Sequence, residues 1–368
     1  GVLIASVGFA APFLLNAVTF IIIVAALLLW KPVEQAAPTL PPEPLARSMV
    51  TGVRYAFNNA AFTSTLLRSL SFFLFASAFW ALLPLVAVGL EGGGSEIYGM
   101  IVGAIGLGAV FGAILLPKLK SLSGADALVA HGTLCTAAAM IALSFTTSPS
   151  VALPAAFFAG VGWILVLTNL NVSAQTALPN WVRARGLSIA MMVFFGCMSV
   201  GSLIWGQIAS VFSVQDAYLY AAGGLIIGIP LSWRSKLGQG EKLDLAPAMS
   251  WPEPIVAHEI DDVGARGPVC VTIEYMIDQT DTESFLTLMM QMRKSRFRDG
   301  AVEWGIFEDT ENPDLWLESF LVPTWDEHLR QHQRTTVEDE KIHASVWGLH
   351  KGTQGPKVRH FIAPRRRL

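Results

Sequence analysis

The sequence predicts an all-α polytopic membrane bundle followed by a small α+β domain of ferredoxin-like order. Three observations predict it. Seven long apolar segments fill the first 236 positions. The charges are split, with 10 Lys/Arg and 6 Asp/Glu in positions 1–236 against 15 and 22 in positions 237–368. Val269, Val271, Ile273, Tyr275 and Ile277 then alternate strictly, the period-two pattern of a half-buried strand. A chain that is 53% hydrophobic and 14% charged lies outside the range of ordinary soluble domains. Its net charge of −3 averages over two unlike bodies, and nothing in it calls for nucleic acid.

A membrane helix needs about 20 apolar residues. Residues 1–7 read as the end of one helix and a turn. The spans follow at 9–30, 69–90, 98–116, 127–145, 151–177, 187–212 and 218–233. The basic residues of this region are Lys31, Arg47, Arg54, Arg68, Lys118, Lys120, Arg183, Arg185, Arg234 and Lys236. All fall in alternate connections, and the intervening loops carry none. By the positive-inside rule that side is cytoplasmic, and the polar C-terminal part lies there too. Cys135 and Cys197 sit in apolar segments and Cys270 in the tail, so reduced thiols are expected.

Between the first two spans the chain is Pro-rich, with Pro32, Pro38, Pro41, Pro42 and Pro44. It then becomes amphipathic, with Leu45, Met49, Val53 and Phe57 every fourth position. This predicts a helix lying against the cytoplasmic face, or a plain linker helix. Gly103, Gly106, Gly108 and Gly112 in the third span, and Gly196, Gly201 and Gly206 in the sixth, are expected to let helices pack closely. No Asp, Glu, Lys or Arg occupies the middle of a complete span, so no coupling site shows there.

The polar content of the spans is amide and hydroxyl instead. Asn169, Asn171, Gln175 and Gln207 cannot face lipid cheaply. They either line a wet pathway or bond between helices. Trp80, Trp163, Trp205 and the run Phe72, Phe73, Phe75, Phe79 suit a bulky apolar ligand and equally suit packing. Trp80, Asn169, Asn171, Gln175 and Gln207 are the candidate substrate pathway.

Residues 237–266 are polar and rich in Pro and Gly, a linker. Past the first strand, Asp281 is placed to cap a helix carrying Phe285, Leu288, Met289 and Met292 on one face. Strands at 302–307 and 315–322 flank the turn Glu311-Asn312-Pro313-Asp314. Thr324-Trp325-Asp326-Glu327 reads as a capping box. A helix at 337–349 and a strand at 358–363 complete a β-α-β-β-α-(α)-β order. His328 and His332 stand one helical turn apart, but no second motif supplies further metal ligands, so solvent-facing or interface histidines are expected. With no cofactor motif, phosphate loop or Cys nucleophile beside a base, no enzyme is expected. Arg365, Arg366 and Arg367 suit contact with anionic lipid or plain solvation.

The turn Leu178-Pro179-Asn180-Trp181-Val182-Arg183-Ala184-Arg185-Gly186-Leu187 leads into the Gly-spaced sixth span. With the Pro-rich central loop, it resembles the major facilitator superfamily, and more narrowly the transmembrane secretion effector family, relatives of the enterobactin exporter. The resemblance implies twelve spans in two halves, so that about four and a half would precede Gly1. Residues 1–30 would end the first half, 31–67 form the central loop and 68–236 the six-span second half. It further implies a bacterial inner-membrane secondary transporter, proton-coupled, that exports a small organic molecule such as a drug or siderophore. Arg183 and Arg185 would fasten the cytoplasmic gate or serve as topology determinants; family members usually read Arg-Gly-Arg there. Residues 267–364 resemble antibiotic-biosynthesis-monooxygenase-like domains, which commonly pair, so homodimerisation through the tail is implied; the alternative function is a membrane-anchored ferredoxin-like domain acting as a cofactor-independent oxygenase or ligand sensor.

Overall fold

The computed structural model describes residues 10–31, 40–248 and 263–364. The expectations for residues 1–7, Pro32, Pro38, most of the linker, and Arg365, Arg366 and Arg367 lie outside these. The first part is helical: α1 (Ala10–Leu29), α2 (Leu45–Asn58), α3 (Ala60–Gly89), α4 (Ser95–Leu122), α5 (Ala125–Phe145), α6 (Pro149–Thr176), α7 (Asn180–Val211) and α8 (Val214–Ser232). Helices α3 to α8 are long and apolar enough to cross a bilayer, and α1 is a shorter apolar helix over Phe13–Leu29.

At the basic end the spans read from hydropathy stop short of the helix ends in α3, α4, α5 and α7. Hydropathy marks only the length immersed in lipid, whereas the backbone hydrogen-bond ladder continues until something stops it. Asn59 opens α3, its side chain accepting from the Phe62 amide at 2.9 Å. Extended Pro179 opens α7. Arg68, Arg183 and Arg185, expected in connecting loops, therefore ride on helices.

α3 packs on α7 and α8, α6 lies between α4 and α5, and α5 closes on α8. Phe72, Phe79, Leu83, Met140 and Tyr218 fill the centre. Close approach is built from glycine at the α5–α6 crossing. A methyl group on Gly132 would stand 2.6 Å from the Gly162 carbonyl, and one on Gly162 would stand 2.5 Å from that of Gly132. The packing expected of the other glycines holds for Gly108, Gly112 and Gly201. It does not hold for Gly103, Gly106, Gly196 and Gly206, which have nothing within 4 Å because they lie on the open faces of α4 and α7.

α2 forms where its apolar period placed it, but with the opposite face inward. Leu45 and Phe57 are 85% and 79% exposed, and Met49 and Val53 are exposed too. The buried face is Thr51, Gly52, Tyr55 and Ala56. Gly52 lets the helix sit on the Arg185 side chain, and Tyr55 meets Trp181 edge-on at 5.5 Å. The large residues of the stripe are left pointing away from the protein.

The C-terminal unit runs β1 (Val269–Met276), α9 (Thr282–Asp299), β2 (Glu303–Glu308), β3 (Leu315–Val322), α10 (Trp325–Arg334), α11 (Val337–Gly348) and β4 (Lys357–Ile362). Its antiparallel sheet has the order β2-β3-β1-β4, the split βαβ arrangement the element order predicted. In register, Val271 lies between Phe320 and His360, and Ile273 between Glu318 and Val358. These residues all face the helices. Two capping expectations change. Asp281 makes no capping bond to α9. At α10 Thr324 does accept from the Glu327 amide, but the Glu327 carboxylate turns to arginines instead of closing the box. The reciprocal capping box is at α11, between Thr336 and Asp339.

Candidate functional site

Inside the bundle, rings from three helices converge. Trp163 of α6 stands 5.5 Å from Trp80, 5.7 Å from Phe72 and 5.8 Å from Phe73, and Phe194 of α7 stacks edge-on to Phe73 at 4.6 Å. Such edge-to-face contacts fix ring orientation. The Trp80 indole N–H is buried and has no acceptor among the described residues. Trp205 and Tyr218, by contrast, spend their donors on the Leu74 and Phe79 carbonyls.

The other pathway candidates scatter. Asn169 is buried and donates back to the Leu165 carbonyl at 2.7 Å; Asn171, half-buried, does the same to Leu167 at 3.1 Å. Gln175 and Gln207 are exposed. Trp80 and Trp163 are thus brought together, while the amides are spread along α6 and α7.

The basic end of the bundle carries two charge clusters. Arg68, 2% exposed, donates to Asp126 at 2.8 Å, to the Ser232 hydroxyl at 3.2 Å and to the Ser235 carbonyl at 3.1 Å. It ties α3, α5 and the end of α8 together, and Asp126 also accepts from the Leu237 amide. Read only as a topology determinant in the sequence, Arg68 is a structural clamp. Its signal was its place within one turn of the apolar run, where a guanidinium needs a partner.

The second cluster centres on Glu43, which sequence reasoning passed over. Its carboxylate pairs with Arg185 at 3.0 Å, accepts from the Thr51 hydroxyl at 2.7 Å and lies 3.8 Å from Arg334 of the C-terminal unit. Pro42 and Pro44 flank it, and an acid held between two prolines was the available signal. Arg334 also bonds Glu327 at 2.6 Å and lies over the Trp181 ring at 4.8 Å. Arg54 of α2 reaches Glu327 and the Gly300 carbonyl, and Arg330 donates to the Pro41 carbonyl. The other gate candidate, Arg183, is exposed and donates to the Leu178 carbonyl, so only Arg185 joins this junction.

The C-terminal unit holds an open-mouthed cavity of about 670 Å³ between its sheet and α9, α10 and α11. His328 and His332 line it, contrary to the expected solvent or interface placement, and so do His343 and His360. His328 and His332 stand 3.3 Å apart, and the His360 ring lies 4.8 Å from that of His328. The helical face that brings His328 inward is the one Trp325 packs on. Among the described residues no group of three or more His, Cys, Asp or Glu is placed to hold a metal ion.

Burial, and next the neighbouring imidazole His332, push His328 down to about 3; burial and then His360 push His332 down to about 4, and burial foremost takes His343 to about 3. An unfolded histidine titrates near 6.5. Between that value and 3–4 the unfolded chain binds more protons, so stability is complete above pH 6.5 and falls as the pH drops. One such histidine costs roughly 2 kcal/mol at pH 5. The unfolding midpoint of the C-terminal unit is expected about 10 °C lower at pH 5 than at pH 7.5, read by tryptophan fluorescence.

Six membrane-length helices in a bundle define a multi-pass membrane protein. The chain belongs to the transmembrane secretion effector family, whose family model matches residues 1–367, and so is a transporter of the major facilitator type. No curated protein matches it. Among solved structures, that of a conserved protein from Methanosarcina mazei Go1 is similar over 26% of this chain and 93% of its own, at 13% identity and a TM-score of 0.24.

Proposed function

We propose that the protein exports a small, largely apolar organic molecule from a bacterial cell across the inner membrane, as a secondary transporter driven by protons. The carrying observation is the family match along the chain together with six membrane-length helices. Trp80, Trp163 and Phe194, backed by the buried Phe72 and Phe73, are a suitable contact surface for such a molecule, and the unused Trp80 N–H is one candidate polar anchor. The one-sided distribution of Lys and Arg supports a cytoplasmic position for the junction and for the C-terminal unit. In this reading 68–236 is a six-span transport unit, entered through 31–67, and 267–364 is a regulatory module reached by the linker 237–266. Pairing of two copies through that module belongs to the same proposal, with no catalysis assigned to it.

Cells producing the protein are expected to accumulate less of a fluorescent apolar dye than cells carrying the empty vector. Equal accumulation would refute export. Trp80→Ala is expected to raise the half-saturating dye concentration about fivefold, the loss of one aromatic contact, at unchanged protein level in the membrane.

A further inference from the structure

We infer that residues 235–248 are a strap by which the C-terminal unit restrains the basic end of the bundle: while it is in place, one corner of that unit holds both α6 and α7, and freeing either end of the strap loosens the other. The strap gives the regulatory role proposed for that unit a physical route, and its test does not depend on transport, so a failure of export leaves it standing.

The first end of the strap is built into the bundle. The chain read as a linker from 237 onward packs instead. Leu237, 8% exposed, joins the apolar core of the bundle. The Ser235 carbonyl accepts from Arg68 at 3.1 Å, the Leu237 amide donates to Asp126 at 3.2 Å, and the Gly238 amide donates to the Ser173 hydroxyl of α6 at 3.3 Å. Gly238 turns the chain with a left-handed φ of +68°. A single 3-10 turn, Gln239–Lys242, then crosses the end of α6. A methyl group on Gly240 would stand 2.5 Å from the Ala177 amide nitrogen and 2.6 Å from the Thr176 carbonyl oxygen. The Ala177 carbonyl in turn accepts from Asn59, the cap of α3, at 3.0 Å. The strap thus lies where α3 and α6 meet.

The second end caps α11. A helix leaves its first amides without acceptors of its own. Here Val337 donates to the Ala246 carbonyl and Glu338 to that of Asp244, both at 3.1 Å, while Thr336 serves Asp339. The Ala248 amide returns a bond to the Thr335 carbonyl at 3.0 Å. If the strap leaves, two donors of α11 lose their acceptors, so the C-terminal unit favours the strap in place.

One corner joins both holds. Arg334 directly precedes this stretch. It lies 3.8 Å from Glu43, the partner of Arg185 of α7, and 4.8 Å over the Trp181 ring of the same helix. Residues 334–338 therefore grip α7 on one side and, through the strap, α6 on the other. Only Ala177, Leu178 and Pro179 connect these two helices. The bundle end of the strap rests on one apolar side chain and a few hydrogen bonds, a hold that a conformational equilibrium can reverse. Such a link is reciprocal: what weakens one end weakens the other by the same factor.

The test is amide hydrogen exchange, which reports local opening, on the full chain in lipid nanodiscs. Val337→Pro removes the donor to Ala246. α11 is kept, because its first helical position accepts proline and Thr336 before it is extended. Exchange in residues 173–177 of α6, which the substitution does not touch, is expected to rise about fivefold to tenfold, the loss of one hydrogen bond. Gly240→Val pushes the strap off α6, and exchange in residues 337–340 is expected to rise by about the same factor. In both variants residues 140–145 at the far end and β1 are expected to exchange as in the wild type. Unchanged exchange in 173–177 with Val337→Pro would overturn the strap, and so would Gly240→Val loosening 173–177 alone. If Gly240→Val also speeds exchange in 140–145, the bundle itself has opened, and Val337→Pro decides.

Discussion

Glu318→Ala is expected to unfold the C-terminal unit while leaving the membrane bundle intact. Glu318 is fully buried in the centre of the sheet. Its two oxygens accept both Arg296 contacts, the Trp304 indole N–H at 2.9 Å and the Tyr275 hydroxyl at 2.9 Å. The Arg296 guanidinium beside it, aided by these donors, outweighs burial and holds its carboxyl below the usual range. Removing it takes the carboxylate away from one buried cation and two neutral donors. Breaking a buried ion pair from one side costs about 3–5 kcal/mol, a large part of what a unit of this size has in reserve. Limited proteolysis should then cut within 269–362 at a rate at least a hundredfold higher, with 60–232 still protected. Replacing both partners, Glu318→Leu with Arg296→Met, is expected to recover much of the loss, since paired apolar replacements leave no orphan charge. Resistance of the single variant to protease would refute this role.

Arg68→Met is the second large effect. The substitution keeps much of the stem volume and removes three hydrogen bonds and the charge at the junction of α3, α5 and α8. Asp126 is partly exposed and recovers some hydration, so the expected loss is about 2–3 kcal/mol. In detergent the bundle should unfold about 5 °C or more below the wild type. Arg68→Lys should restore little of this, because an ammonium cannot reach a carboxylate, a hydroxyl and a carbonyl in one fixed fork. A lysine variant as stable as the wild type would argue for simple charge and against geometry.

Much of the fold was legible because each half has a strong period. Runs of about 20 apolar residues are the only pattern a bilayer accepts, and Val269 to Ile277 alternates without a break. The ends of helices were not legible, because α3 and α7 continue past the lipid on the strength of Asn59 and Pro179, which hydropathy does not weigh. α2 shows a different limit. Its period was correct, but its packed face was chosen by Gly52 and Tyr55 fitting Arg185 and Trp181, contacts that exist only in three dimensions. The candidate site was less legible still. Trp80 and Trp163 could be named from aromatic content, whereas Glu43, Arg68, Glu327 and Arg334 are ordinary charges until their partners are known. The histidines of the cavity come from α10, α11 and β4, which no sequence spacing relates.

The two ends of the bundle are held shut by different forces. At the basic end, Arg185, Glu43 and Arg334 join α7 to the C-terminal unit through charge. At the far end, the connections between α3 and α4 and between α5 and α6 meet through one neutral contact, the Glu91 amide on the Thr147 carbonyl at 2.7 Å. Dissolved ions weaken partly exposed charge pairs and hardly touch an amide–carbonyl bond. Ionic strength therefore acts on one side of this molecule and mainly through one pair, Arg185–Glu43, whose guanidinium is 32% exposed; the Arg334–Glu43 pair, 5% and 7% exposed, and the far end feel it little.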